Sequence, residues 1–565
     1  MVSQSGLLPA SKTGTTEEPG EAWMEPTAIT HMDSARNIHA ILDQPSFIQH
    51  ALLSVYVALL LIIAFYGLHR YILVYLYIKY RNIVYQPKSS FKVLPRVTVQ
   101  LPMFNEDVVA ERIIRATCQI DYPLDRLEIQ VLDDSTDHSA DIAKAACDYW
   151  AAKGYPIKYI HRTDRVGYKA GALADALPEA TGDFIAIFDA DFVPPRDILQ
   201  NVVQYFTDDK VGMVQVRWDH LNRDASLLTK SQAIFLDGHF VIEHTARNRS
   251  GRFMHFNGTA GIWRRSTIDD AGGWEHDTLT EDLDLSYRAQ MKGWQFVYLP
   301  QVCAPAELPP EMISFKQQAH RWTKGSMQTA CKLLYRILQS RHLSYRIKLE
   351  AFFHLTNTIV YPLMVVLTLL MYPVFFGYYH HINAPLKEHV WGHYLFSASL
   401  FILATCSAST FFVFAQRELL GKLAGWKTVL YLPVLMALGV GVGLNNTKAV
   451  FEAIWCAIRR KPAEFVRTPK YGITGSTTRW RQARTFTVKK LWLPILEVAF
   501  GLYMTTCILI SLWYGFGYST IPFLMIFAGG YFYVGFSSLY VLWRMNQQAE
   551  EAAAALAAAA EVISV

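Results

Sequence analysis

The chain has 565 residues, of which 52% are hydrophobic and 18% charged, and a formal net charge of +5. With a mean hydropathy of +0.14, it is too apolar for a simple soluble enzyme and too charged for a bare membrane bundle, so a soluble domain joined to membrane spans is expected. No Arg/Lys-rich tract or aromatic-interleaved basic strip argues for nucleic acid, and the seven cysteines contain no CxxC pair and suggest neither a zinc nor a disulfide framework.

Residues 1–48 are rich in Ser, Thr, Gly, Pro and Glu, with Lys12 and Arg36 set against Glu17, Glu18, Glu21, Glu25, Asp33 and Asp43. This composition predicts a disordered acidic tail. It is not a signal peptide, because no basic start leads directly into an apolar run. The apolar run from Ala51 to about Gly67, extended to Tyr80, predicts a first span within 49–80. Arg70, Lys79, Arg81, Lys88, Lys92 and Arg96 lie at its far end and beyond. The positive-inside bias therefore places the tail outside and the next domain in the cytoplasm.

Residues 95–310 alternate short β-rich runs with helical ones. Val97–Met103, Leu127–Leu132, Ile157–Ile160, Phe184–Phe188 and Val211–Val216 read as strands, with helices such as Asp107–Gln119 and Asp137–Lys153 between them. The fold class is α/β, a mostly parallel sheet with helices on both faces. Ligands in such sheets bind beyond the carboxyl ends of the strands.

An amphipathic interfacial helix over 311–340 follows, carrying Met312, Phe315, Trp322 and Met327. Apolar runs lie at about 351–376, 393–415 and 427–443, the last interrupted by Pro433, Gly439, Gly441 and Gly443. Next come an amphipathic stretch to Ile458, a basic loop over 459–490, apolar runs at 492–515 and 519–542, and a helical Ala-rich tail over 546–565. A single crossing by 427–443 would put the basic loop outside, against the charge rule. The transmembrane and interfacial block 351–458 is therefore expected to keep 427–458 at the cytoplasmic interface or as a re-entrant segment. With the pair in 491–545, this leaves five full spans, an outside amino terminus and an inside carboxyl terminus.

The candidate chemistry is carried by clustered carboxylates. Asp133-Asp134 closes a strand, where it can hold the base or ribose of a nucleotide, help place a metal, or cap a turn. Asp189-Ala190-Asp191 follows another strand and can ligate a hard divalent cation on a diphosphate. Lys169 beside Gly171 can contact phosphate. The Phe256–Gly261 loop, with Gly258 and Thr259, permits close backbone approach by a ligand. Leu279, Leu283 and Tyr287 recur at helical spacing, with Thr280 able to cap and Glu281, Asp282 and Asp284 in the first turns. A partly desolvated acid there makes a better general base. Gln318-Ala319-His320-Arg321-Trp322 offers a cation for a departing diphosphate and an apolar face for a sugar ring.

This ordered set resembles the membrane-embedded, processive, inverting family 2 glycosyltransferases of the cellulose, chitin and hyaluronan synthase type. Gln130–Asp137, Asp237–Phe240, Phe256–Arg264, Asp277–Gln290 and Pro305–Pro309 are similar to the plant cellulose-synthase-like mannan and glucomannan synthases and their bacterial relatives. Phe465-Val466-Arg467-Thr468-Pro469-Lys470 resembles the gating loop of cellulose synthases, with Arg467 where that pattern has valine. The resemblance implies a GT-A-like cytoplasmic domain joined to an α-helical transmembrane region. It implies Asp282 as general base, with Glu281 and Asp284 as helix and support residues. It implies Asp133, Asp134, Lys169, Asp189 and Arg321 as nucleotide or donor contacts, and Asp189 and Asp191 as ligands of Mg²⁺ or Mn²⁺. Gln318, Trp322, Gly258 and Thr259 would meet the acceptor at the channel mouth, and Phe465, Thr468 and Lys470 would form the gating loop.

The implied partners are a nucleotide-sugar donor, a growing polysaccharide acceptor and the lipid bilayer. The implied location is the plasma membrane in a bacterium or the Golgi membrane in a plant. The expected reaction is β-linked polymerisation and export, foremost a β-1,4-mannan or glucomannan from GDP-mannose. A UDP-glucose-dependent β-glucan synthase, a single-sugar transferase to a lipid, and a non-catalytic export scaffold stand as alternatives.

Overall fold

The structure is a computed structural model that describes residues 47–381, 406–459, 464–475, 491–514 and 518–563. The expected acidic tail up to residue 46, the expected span 393–415 up to residue 405, and residues 460–463 and 476–490 of the basic loop lie outside these.

Helix α1, Phe47–Tyr80, leads into a seven-stranded sheet of order β3-β2-β1-β4-β6-β5-β7. The strands are β1 Val97–Met103, β2 Leu127–Asp133, β3 Ile157–His161, β4 Phe184–Ile187, β5 Val211–His220, β6 Gly261–Arg264 and β7 Gln295–Ala306. All pairings are parallel except those of β6, which runs antiparallel to β4 and β5. This is the mostly parallel α/β sheet expected, and the first five strands are the five apolar runs. The other two are hidden in the sequence. β6 spans four residues, and β7 contains Pro300 and Pro305, which break a strand pattern. The sheet absorbs Pro300 in an irregularity. Pairing jumps from Val216↔Leu299 to Arg217↔Cys303, and Arg217 Nε donates to the bypassed Pro300 carbonyl (3.1 Å).

The pleat sends alternate residues to two cores. Val97, Val99, Leu101, Phe184 and Ala186 face α2 (Ala110–Cys118) and α3 (Ser139–Ala152). Ile185, Ile187, Met213 and Trp263 face α4 (Tyr168–Ala176) and, beyond α5 (Leu227–Asp237), α6 (Glu281–Met291). Six strands thus present their carboxyl ends along one edge. Because β6 is reversed, the loop that precedes it reaches that same edge.

The amphipathic helix is α7, Met312–Gln339. It is followed by α8 (Tyr345–Thr356), α9 (Val360–His381), α10 (Leu432–Gly441), α11 (Gly443–Arg459), α12 (Trp492–Tyr514) and α13 (Ile521–Ile563). Among the described residues, five helical stretches are long and apolar enough to cross a membrane: Phe47–Tyr80, Tyr345–Val374, Lys422–Gly441, Trp492–Tyr514 and Ile521–Gln548. Lys422–Gly441 thus has the length and apolarity of a span, although the charge rule favours an interfacial or re-entrant course for 427–458. The chain breaks at Val442, and α11 packs along α7. The Ala-rich tail continues α13 as far as Ile563 rather than forming a separate element.

The crossing of α10 and α13 is a backbone contact. A Cβ at Gly530 would lie 2.2 Å from the Ala437 carbonyl oxygen, and one at Gly441 would lie 2.4 Å from the Gly530 carbonyl oxygen. A Cβ at Gly529 would meet nothing within 4 Å. Gly530→Ala should therefore force the helices apart and cost about 1–3 kcal/mol. Thermal unfolding in detergent checks this: the midpoint falls for Gly530→Ala and holds for Gly529→Ala.

Candidate active site

The site forms where strand ends, the loop before β6 and the start of α6 meet. A cleft there is lined by Lys169, Asp189, Asp191, Asn257, Gly258, Glu281, Asp282, Gln318, Arg321, Trp322, Phe465 and Lys470, among others.

Asp282 occupies the first turn of α6. Its Oδ1 accepts from the Leu283 amide (2.8 Å), and a Cβ on Gly258 would lie 2.9 Å from its Oδ2. Gly258 has φ +79°, so a side chain at this position would be strained as well as crowded. The loop carrying Gly258 is itself fixed. Gln215 accepts from the Asn257 amide (3.1 Å) and donates to the carbonyls of Thr259 (3.1 Å) and Ala260 (2.9 Å). Thr259 Oγ1 accepts from the Asp189 amide (2.8 Å), tying this loop to the end of β4.

Helix α6 is wedged between two layers. Leu285 and Ala289 pack into the sheet core, while Leu283 and Tyr287 pack against α7 and α8. Helix α7 grips the turn ahead of α6: Gln328 Oε1 accepts from the Leu279 amide (3.0 Å) and Thr329 Oγ1 lies 3.2 Å from Thr280 Oγ1. A Cβ at Gly325 would sit 2.5 Å from Thr280 Cγ2. Thr280 holds the N-cap position but its side chain does not cap, because its hydroxyl is turned to Thr329.

The charges interlock. Lys169 Nζ donates to Asp189 Oδ1 (2.5 Å) and to the Gly258 carbonyl (2.8 Å). Lys470 Nζ donates to Asp191 Oδ2 (2.7 Å), while Asp191 Oδ1 is buried without a hydrogen-bond partner. Burial, reinforced by the adjacent Glu281 charge, pushes the Asp282 carboxyl well above the usual carboxylate range. Burial also raises Glu281, against the pull of Lys169. Glu106, just past β1, is pushed by burial up to about 7.

Most of the expected residues converge. Gln318, Arg321 and Trp322 project from α7 into the cleft, and Phe465 lies against both Arg321 (4.9 Å from guanidinium to ring centre) and Tyr168 (5.5 Å between ring centres). Thr468 is buried, with its Oγ1 unpartnered. Asp133 and Asp134 are placed differently. Asp133 is fully buried and accepts from Tyr159 (2.7 Å) and the Ser135 amide (2.9 Å). Asp134 is held in a fork by Arg162 (2.8 and 2.7 Å). Neither is among the residues that line the cleft. Glu281, expected as a support residue, lines the cleft beside Asp282. Asp284, expected as a support residue, is fully buried against Arg288 (2.8 Å) and Lys332 (3.0 Å).

Sequence reasoning passed over Glu307. Its oxygens accept from the amides of Tyr471 (2.8 Å) and Gly472 (2.9 Å), anchoring the loop over the cleft. Its place in the Pro305–Pro309 motif was the available signal. Arg467 stands where the gating-loop pattern has valine. Here it donates to the carbonyls of Phe104 (2.7 Å) and Asn105 at the end of β1.

Residues 95–325 match the family described as Glycosyltransferase like family 2. The chain carries a family 2 glycosyltransferase domain. It is 40% identical over 290 residues to glucomannan 4-beta-mannosyltransferase 9 of Arabidopsis thaliana, covering 50% of this chain and 53% of that protein. It is 42% identical over 287 residues to probable glucomannan 4-beta-mannosyltransferase 4 of Oryza sativa subsp. japonica, covering 50% and 52%. The chain thus spans about half the length of these relatives. A solved mannosyltransferase from Pyrobaculum calidifontis, in complex with GDP-Man and Mn²⁺, is similar at 21% identity with TM-score 0.46, covering 67% of this chain and 99% of that one.

For this glycosyltransferase domain, the two raised carboxyls of α6 make a specific pH prediction. If either carboxyl acts as the base, the acid limb of kcat/KM should lie above the ordinary carboxylate range, because protonation removes that base. Glu281→Gln removes a negative neighbour, so ionised Asp282 is favoured and the limb should shift to lower pH. A pH–rate profile of the two proteins checks the sign.

Proposed function

We propose that the chain is a membrane-bound inverting hexosyltransferase that extends a β-linked polysaccharide from a nucleotide-sugar. Its foremost reading is a β-1,4-mannan or glucomannan synthase using GDP-mannose. The observation that carries this is Asp282 Oδ2 facing one cleft that also holds Asp189, Asp191, Lys169 and the α7 residues Arg321 and Trp322, next to the apolar helices. The roughly 40% identity to glucomannan mannosyltransferases supports the choice of sugar.

In the proposed reaction Asp282 takes the proton of an acceptor hydroxyl. The freed oxygen pair forms the bond to the anomeric carbon, and the bond from that carbon to phosphate breaks, its electron pair leaving with the nucleoside diphosphate. Attack opposite the leaving group inverts the configuration. A stable diphosphate needs little protonation, so no second acid is required, unlike a glycosidase pair. Arg321 and Lys169 offset the developing charge. Trp322, 36% exposed, offers its face to the acceptor sugar.

The residues fit a Mg²⁺ or Mn²⁺ ion. Asp189 and Asp191 are hard oxygen donors, and the buried Asp191 Oδ1 lacks a partner. Such an ion neutralises diphosphate charge when bound. The loop from Phe465 to Lys470 closes over the cleft and excludes water, with Glu307 as its anchor. Arg162 and Asp134 brace the nucleoside side. The catalytic domain faces the cytoplasm, and the apolar helices carry the product outward.

Membranes containing the protein, incubated with radiolabelled GDP-mannose or UDP-glucose, test the reading. The expected result is a high-molecular-weight product from GDP-mannose, degraded by β-mannanase. Label only from UDP-glucose would replace mannan by β-glucan, and label only in lipid extracts would contradict polymerisation.

A further inference from the structure

Behind the Asn257–Gly258 loop lies a group of imidazoles that the proposed transfer does not use. His239 and His244 both belong to a seven-residue π-helix, Gly238–His244, that continues α5. Residues five apart on an α-helix point about 140° away from each other. The wider π turn, a rare element found often at functional sites, brings them to one face, and the ring centres are 4.4 Å apart. His255 enters from the loop that follows, with ring centres 5.4 Å and 5.0 Å from those two. One ring nitrogen from each histidine lies within 4.8 Å of those of the others.

Three further observations point to a ligand. His239 Nδ1 is held by Glu243 (2.9 Å), itself held by Arg247 (3.2 Å). A carboxylate on the far nitrogen is the arrangement that orients metal-binding imidazoles. Second, the Nδ1 atoms of His244 and His255 are buried without a hydrogen-bond partner, and His244 is wholly buried. Unsatisfied buried nitrogens are uncommon and mark ion sites among other things. Third, Asn257 sits between two of the rings, its Oδ1 3.0 Å from His239 Nε2 and its Nδ2 2.7 Å from His244 Nε2. The Asn257 amide therefore borders the cluster, with its oxygen on His239 and its nitrogen on His244.

We propose that His239, His244 and His255 form a second metal site, for a late first-row divalent ion of the zinc class, with the Asn257 amide oxygen or water as fourth donor. Nitrogen ligands at 2.0–2.1 Å around a tetrahedral ion lie about 3.4 Å from one another. The rings therefore close by about 1.4 Å from the widest separation allowed here. The all-imidazole set suits zinc and disfavours Mg²⁺, so this site is chemically distinct from the aspartates at the diphosphate position. A bound ion would pin the π-helix to the loop that sets Gly258 beside Asp282. The inference rests on these side chains alone and stands whether or not the sugar assignment does.

The test uses the full chain, purified in detergent with a histidine-free tag. The protein is stripped with chelator, reloaded with Zn²⁺ in excess Mg²⁺ and desalted, and its metal is measured by mass spectrometry. Wild type should retain about one zinc per chain, and His239→Gln and His255→Gln at least tenfold less. Wild type without retained zinc, or variants retaining as much as wild type, would overturn the site. Should the variants not fold, Co²⁺-loaded wild type decides: intense four-coordinate visible absorption supports the site, and a weak octahedral spectrum overturns it.

Discussion

The position of one carboxylate depends on how the turn ahead of α6 is clamped. Leu285 and Ala289 bury one side of that helix against the sheet, and Leu283 and Tyr287 bury the other against α7 and α8. Each large apolar side chain contributes about 1.5–3 kcal/mol on burial. Gly325 lets α7 approach to the Thr280 backbone, where any larger residue would push the turn away. Helix α7 is in turn tied to the apolar helices by the buried Lys316–Glu497 pair (2.6 Å) and by Asn445, which donates to the Lys316 carbonyl (3.0 Å). Breaking a buried ion pair from one side costs about 3–5 kcal/mol. Through these contacts the helical bundle holds Arg321 and Trp322 on the same rigid element that fixes the Asp282 turn.

Electrostatics follow from the same clamp. The start of α6 offers a positive helix end that favours ionised acids. Burial opposes this and wins, so Glu281 and Asp282 both rise. The cleft offsets its acids with Lys169, Arg321 and Lys470, and the two ammonium groups lie directly on Asp189 and Asp191. Lys470 belongs to the loop anchored by Glu307, so its pair with Asp191 ties the end of β4 to that loop.

The sequence made the site legible where chemistry is local. Asp189-Ala190-Asp191, Lys169 and Asp282 were identified by residue type at strand and helix ends and Arg321 on the amphipathic helix, and the structure brings them to one cleft. The five apolar strands were legible because burial on both faces leaves continuous hydrophobic runs. β7 was not, because Pro300 and Pro305 break the pattern and only pairing with β5 rescues it. The placement of Asp133 and Asp134 was not legible either. Whether a strand-end acid faces a cleft or a neighbouring Tyr159 or Arg162 depends on β3, distant in sequence. The anchoring of the cleft loop by Glu307 joins residues more than 160 positions apart and leaves no local trace.

The assignment of Asp282 as the base is tested most directly by Asp282→Asn, an isosteric change that keeps the Leu283 amide contact and removes the proton acceptor. Nucleotide-sugar binding by calorimetry and transfer by radiolabel would be measured on the same preparation. The account predicts donor binding retained and transfer reduced by about 10²–10⁴-fold or more. Transfer at the wild-type rate would contradict it.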